Sequence, residues 1–428
     1  MSGPASYGRG AAVLSVGIGV TGLVTYTYFS LASHALPDDE YGRISLLWSA
    51  VFIVVSVLYR PVEQLLSRTI AERAAGGHAG GEHLRVAATI QLGLGVAFAV
   101  AALALRGPLE DDLFGGSETL YWVLVGTVVA YAGSYFARGF LAGHHRFGAY
   151  GLLVLLEATS RCLFAVAVAT GVTQGQDAVA LGMIAAPLVS LAVVPFVLAR
   201  STSTAHIAGE VEVAEDAGPE FTLRHGSGFA AAVVVIMLSE QTFLNAGPLV
   251  VKATESGAAG AALAGFVFNA LLIARAPLQL FQSVQTSILP HLTRMRVEGD
   301  TDAFSRSVTV TLAAIAAFAA AVALVLLAIG PWAMGLLFGS DIDYERHVLF
   351  LIAIGMGLYL AAATLNQAAL ARGRATAAAA CWLAAAAGFV VFLLVPGWED
   401  RIEQVAVGYV AGAAVLCAML HRLHRRPE

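Results

Sequence analysis

The sequence predicts an all-α polytopic membrane protein of about twelve transmembrane helices, set as two parallel-repeat six-helix bundles around a central cavity. Three observations lead there. The chain is 58% hydrophobic and only 12% charged, far from the roughly 25% charged content of soluble domains. Twelve apolar runs are long enough to span a bilayer, which takes about 20 residues each. The second half of the chain echoes the first.

The runs lie near 10–33, 44–67, 84–105, 119–141, 149–170 and 178–199, then 226–251, 258–289, 308–329, 347–370, 375–396 and 402–420. Lipid leaves a backbone no outside hydrogen-bond partner, and these runs lack the alternation of barrel strands, so each is expected to be a helix. The first run exceeds a signal-peptide core in length and is taken as a span. Between the sixth and seventh runs lies residues 201–225, polar, acidic and poor in aromatics, which reads as a cytoplasmic linker between domains 1–200 and 226–428.

Orientation follows from the cations. Of the 24 arginine and lysine residues, 17 fall in segments on the side of the N-terminus, five on the other side (Arg43, Arg106, Lys252, Arg346 and Arg401), and Arg161 and Arg275 lie within spans. Both termini are therefore expected to be cytoplasmic in a cell membrane. Lys252 is the only lysine, and the net charge of -5 gives no reason to expect a nucleic-acid partner. Cys162, Cys381 and Cys417 sit in apolar runs without metal spacing, as small core residues would.

The repeat is local but recurs. "GPLEDDLFGGS" at 107–117 is matched 223 residues later by "GPWAMGLLFGS" at 330–340. "RPVEQLLS" at 60–67 parallels "RAPLQLFQ" at 275–282, and "FLAGHHRFGAY" at 140–150 parallels "ALARGRATAAA" at 369–379, an offset of 229. Six spans per half keep both halves in one orientation, related by an axis along the membrane normal.

Polar residues at membrane depth mark the candidate site. Arg60 and Gln64 share a helix face with Ser67, and Arg275, Gln279 and Gln282 repeat that spacing beside a second proline. Aimed inward, the two stripes would give an arginine-bearing cavity. Snorkelling to the inner interface is the other reading. Glu157 and Arg161, in "LLEATSRCLF", lie near the midplane, where each charge costs about 2.5–3.5 kcal/mol. Their i, i+4 spacing permits a buried ion pair, either structural or holding Arg161 towards a ligand. Glu240 is the remaining deep acid, a candidate site for a coupling proton or Na⁺, or else a carboxyl bonded within the bundle or to Arg275.

Several motifs carry less. Gly17, Gly19 and Gly22 match G-x-G-x-x-G inside a span, not after a strand, so they suit helix packing and not a dinucleotide. Gly408 and Gly412 suit close helix contact as well. His144 and His145 lie in a basic loop without further metal ligands, so no metal site is expected. The loops leave no room for a catalytic domain, and no enzyme activity or cofactor is expected.

"HALPDDEYGRISLLWS" at 34–49, "RPVEQLLSRTIAER" at 60–73, "LEATSRCLFAVAVATG" at 156–171, "LLFGSDIDYERHVLFLIAIG" at 336–355 and "NQAALARGRATAAA" at 366–379 resemble polysaccharide-biosynthesis flippases of the MOP (MATE-like) superfamily. The resemblance spreads over nearly the whole chain. It implies translocation of a lipid-linked (polyprenyl pyrophosphate) oligosaccharide from the inner to the outer leaflet by alternating access, for cell-surface polysaccharide biosynthesis. On that reading Arg60 and Arg275 contact the pyrophosphate, with Arg161 third, since guanidinium binds phosphate through two bonds. The implied partners are membrane lipids, the lipid-linked oligosaccharide and a polysaccharide polymerase or glycosyltransferases. A MATE-like cation or drug antiporter would need an acidic or aromatic cavity instead, and a membrane scaffold of glycan synthesis would need none.

Overall fold

A computed structural model describes residues 4–75, 81–192, 223–273, 275, 278, 301–339 and 344–425 of the 428-residue chain. The regular structure of these residues is helical. In order the helices are α1 (Pro4–Ala35), α2 (Asp38–Leu58), α3 (Arg60–Ala75), α4 (Glu82–Ala104), α5 (Glu118–Gly143), α6 (Phe147–Ala169) and α7 (Gly175–Leu191). Then come α8 (Leu223–Thr254), α9 (Gly257–Ile273), α10 (Thr301–Phe338), α11 (Arg346–Ala371), α12 (Ala375–Leu393) and α13 (Arg401–Arg425). Each of the twelve expected runs meets a helix, and the second run meets two, because the chain breaks at Tyr59.

Among the described residues nine helices are long and apolar enough to cross a membrane, with α2 and α3 counted as one span, Asp38–Ala71. α7 and α9 are shorter apolar helices; the expected continuation of each, at 193–199 and 279–289, lies outside the described residues. So does most of the expected linker, 201–222. The all-α multi-pass architecture is the one the sequence predicts.

Helix ends are set by local chemistry. Three acids, Asp38, Asp39 and Glu40, occupy the first turn of α2, where they complement the positive end of the helix dipole. Ser117 caps α5 by accepting from Leu120 N at 3.3 Å, and Asp400 caps α13 by accepting from Ile402 N at 2.7 Å. At the far end of α13, Arg374 donates to the carbonyl oxygen of Leu423 at 2.8 Å and Arg372 to that of His424 at 2.5 Å, satisfying acceptors that the helix leaves open.

Contacts divide the chain into two compact units. One comprises residues 1–32 and 54–227, the other 33–53 and 228–428. The residues 33–53, from the first half of the sequence, thus pack with the second unit. In the first unit α3 packs on α5, α5 on α7, and α6 on α7. In the second, α11 packs most extensively on α13 and α10. The core of the second unit is aromatic: Phe243 stacks on Phe389 at 5.2 Å between centroids and meets Trp382, Tyr359 and Tyr409 edge-on. Gly408 and Gly412 make room for it, since a β-carbon at Gly412 would come 2.8 Å from the Phe243 ring, and one at Gly408 would come 2.7 Å from Phe392. The helix-contact reading of that glycine pair therefore has a physical cause.

The internal repeat persists in backbone detail. Gly116 and Gly339, 223 residues apart, both end a segment in the left-handed region, at φ 82° and 88°. The α5–α6 and α11–α12 turns are the same turn. His145 N bonds Ala142 O at 2.9 Å and Arg146 N bonds Leu141 O at 2.8 Å; Gly373 N bonds Leu370 O and Arg374 N bonds Ala369 O, both at 2.9 Å. The equivalence runs at 228 residues, which corrects the sequence alignment here by one. The left-handed position of this helix stop favours glycine, and the second turn supplies Gly373 at φ 72°, whereas the first holds His145 at φ 55°. A side chain in that conformation costs on the order of 1 kcal/mol. His145→Gly is accordingly expected to stabilise the protein by about that amount, read as a rise in the midpoint of thermal unfolding in detergent.

Candidate functional site

The site is built where a span breaks. Pro61 has no N–H, so the Val57 carbonyl loses its helical partner and the helix is interrupted at Tyr59. α3 then runs on against α5, and two glycines let it come close. A β-carbon at Gly139 would lie 2.9 Å from the Glu63 carbonyl oxygen, and one at Gly143 would lie 3.0 Å from that of Ser67. Small residues four apart serve membrane helices in this way.

This approach encloses a cavity of about 280 Å³ lined by Arg60, Glu63 and Gln64 of α3, Tyr135 and Arg138 of α5, and Tyr150 of α6. Tyr150 donates its hydroxyl to Glu63 at 2.9 Å. The Arg138 guanidinium lies over the Tyr135 ring, 4.4 Å from its centroid, a distance at which cation–π attraction contributes. Behind the cavity wall, Arg138 makes an ion pair with Glu157. The Glu157 carboxylate also accepts from Ser134 and, at 3.1 Å, from Ser190. Glu157 is 2% exposed, so each of these bonds replaces water that it has lost.

The structure revises the expected partnership of Glu157. Its partner is Arg138 of the neighbouring helix, not Arg161 one turn along α6. Arg161 instead donates to the Tyr131 hydroxyl at 2.9 Å and is 5% exposed. The i, i+4 spacing permits a pair but does not compel one, and a guanidinium from α5 reaches the carboxylate while two serines complete its shell. Arg161 is not among the residues lining the cavity.

Arg60 and Gln64 do line it. The partner stripe fares differently. Gln279 and Gln282 lie outside the described residues. Arg275 donates to the Leu244 carbonyl and, at 3.0 Å, to Asn245 Oδ1, with its guanidinium 5.3 Å from the Phe268 centroid. These contacts hold the chain after α9 to the middle of α8. Glu240, four residues before Leu244 on α8, is half-buried.

Four of the six lining residues escaped the sequence reading: Glu63, Tyr135, Arg138 and Tyr150. A signal for one group was present. Tyr131, Ser134, Tyr135 and Arg138 fall on a single face of α5, a polar stripe that helical spacing alone marks. Glu63 also changes the electrostatics. Two guanidinium groups, Arg60 and Arg138, face one carboxylate in the cavity and a second just behind it, so the site is close to balanced and not simply cationic.

Removing one member of a buried ion pair strands the other charge, at a cost of about 3–5 kcal/mol, whereas replacing both is often near neutral. Arg138→Met is therefore expected to destabilise the protein strongly, and Arg138→Met with Glu157→Gln to recover most of the loss. Thermal unfolding of the two single variants and the double variant checks this, and additive losses would refute the coupling.

No family model matches the sequence, and no curated protein matches it. Solved structures do. A multidrug resistance MATE family transporter of the MOP superfamily, in an inward-facing conformation, is similar to this chain at a TM-score of 0.67 and 14% identity, over 97% of each chain. A mutant of the Vibrio cholerae MATE transporter VcmN is similar at 0.64 and 16%, over 98% of this chain and 97% of that one. A eukaryotic MATE transporter gives 0.63 and 13%, over 99% and 96%. The fold is therefore like that of these solved MATE transporter structures, an all-α fold of many long apolar helices.

Proposed function

We propose that this protein is an exporter of the MOP type, working by alternating access in the cell membrane with both termini cytoplasmic, and that the cavity of its first unit receives an anion-bearing substrate. The observation that carries the reading is the convergence of Arg60 and Arg138 on one cavity. Planar guanidinium groups bind phosphate and carboxylate oxygens through paired hydrogen bonds. At about 280 Å³ the cavity has the size of a headgroup and not of a whole lipid-linked oligosaccharide. A polyprenyl pyrophosphate carrier, as the sequence resemblance implies, would place its diphosphate here and its sugars beyond.

A second reading has support of its own. The similar solved structures are MATE transporters, one of them described as a multidrug resistance transporter. Glu63 with Tyr135 and Tyr150 forms an acid-and-aromatic wall, chemistry that suits an organic cation. On that reading the chain is a cation or drug antiporter, with Glu63 or Glu240 as the carboxylate that takes the coupling proton or Na⁺.

Proteoliposomes separate the two. The native chain is expected to translocate a fluorescent polyprenyl-pyrophosphate oligosaccharide, and Arg60→Ala to slow it about tenfold or more, the usual effect of losing a hydrogen bond to a charged group. Efflux of an organic cation driven by a proton or Na⁺ gradient, without lipid translocation, would decide for antiport.

A further inference from the structure

One end of the second unit gathers cations from two places in the chain. Arg372 and Arg374 sit in the turn between α11 and α12, while His421, Arg422, His424 and Arg425 lie in the last turns of α13. α12 packs on α13, so the start of one helix comes beside the end of the other. The arginines of the turn reach across, Arg372 donating to the His424 carbonyl and Arg374 to the Leu423 carbonyl. Both guanidinium groups thereby stand at the negative end of the α13 dipole. His424 lies within electrostatic reach of Arg372, Arg374, His421 and Arg425. The adjoining sequence supplies no acid to offset them: neither aspartate nor glutamate occurs between Glu345 and Glu399, or between Glu403 and Glu428.

Capping the carbonyls of α13 accounts for the positions of Arg372 and Arg374. It does not account for Arg422 and Arg425, which are exposed, and the face they share shows what the cluster borders on. Ala411, Val415, Ala418, Arg422 and Arg425 are all exposed, and their steps of four, three, four and three residues put them on one stripe of α13. That stripe is apolar for three members and cationic for the last two. On α12 the exposed positions include Ala380, Leu383, Ala384, Ala387 and Val391. At about 1.5 Å per residue, Val415 lies roughly 15 Å along its helix from Arg425, and Leu383 roughly 14 Å from Arg374. The apolar surface thus extends from the charges by about the depth of one leaflet's acyl chains. A ligand that is anionic at one end and apolar along its length matches both parts, whereas a soluble anion matches only the first.

We propose that this end of the second unit is a binding site for an anionic phospholipid, with Arg372, Arg374, Arg422 and Arg425 around its phosphate and its acyl chains along the exposed faces of α12 and α13. Guanidinium groups pair with phosphate oxygens through two hydrogen bonds, and basic pockets between membrane helices take such headgroups. Arg372 and Arg374 are already held by the carbonyls they cap, so less side-chain freedom is lost when the headgroup arrives. None of these residues lines the cavity of Arg60 and Arg138, and the site does not rest on what the protein exports.

Native mass spectrometry of the whole protein in detergent, titrated with dioleoylphosphatidylglycerol and in parallel with dioleoylphosphatidylcholine, tests this. The protein is expected to retain the anionic lipid in preference to the zwitterionic one. Arg422→Gln with Arg425→Gln, both at exposed positions and checked for native elution, is expected to weaken that binding roughly twentyfold, at about fivefold for each cation lost. Arg346→Gln removes a cation at the start of α11, roughly 39 Å along that helix from Arg372, and is expected to leave the binding unchanged. Equal retention of the two lipids, undiminished binding by the double variant, or an equal loss with Arg346→Gln would make the cluster a cap of the helix end and overturn the proposal. Displacement of the bound lipid by an equal concentration of glycerol 1-phosphate would assign the charges to a soluble phosphate and overturn it too.

Discussion

The candidate site depends on one close approach, that of α3 to α5 over Gly139 and Gly143. Any larger side chain at Gly139 would meet the backbone of Glu63 itself, and α3 carries three of the six residues that line the cavity. The break at Tyr59 and the absent N–H of Pro61 let α3 take that position. Tyr150 then closes on Glu63 and Arg138 closes on Glu157. A buried charge costs several kcal/mol unless it is paired and hydrogen-bonded, so the shell of Ser134, Ser190 and Arg138 around Glu157 follows from the depth of that carboxylate.

The two halves of the sequence share turns more faithfully than they share chemistry. The α5–α6 and α11–α12 stops use the same hydrogen bonds, 228 residues apart. Arg60 and Arg275, equivalent in the sequence repeat, serve differently: one lines a cavity, and the other binds a carbonyl and an asparagine of α8. Backbone geometry at a helix stop is fixed by a few dihedrals, whereas an arginine side chain is long enough to take whichever acceptor its neighbours present.

That difference accounts for what could be read in advance. Helix positions were legible because a bilayer demands long apolar runs, and every expected run meets a helix. That Arg60 and Gln64 share one helix face was legible from helical periodicity. Glu157 was legible as a buried acid, but its partner was not, because periodicity ranks neighbours along one helix and is silent about which helix lies alongside. Arg138 and Tyr150 come to the cavity only through tertiary packing. The close contact of Gly42 was illegible for the same reason: the residue carries no local signal, and its meaning appears only against Ala261 and Gly265.

The unequal burial of the helices bears on the absence of any matching family model beside a close likeness of fold. In the most apolar stretch of α4 only 22% of residues are buried, against 72% in α11. On α4 the inward positions are Ala87, Gln91, Gly95 and Ala102. Exposed apolar positions such as Val86, Leu92, Val96 and Val100 make up much of the rest, and a lipid environment does not distinguish leucine from valine or isoleucine. Such surfaces keep no record of ancestry: side chains there interchange over evolutionary time at almost no cost, and the similarity left to compare resides in a few small residues whose job is to be absent in bulk. A chain assembled this way can share the helix arrangement of a solved structure at only 14% identity.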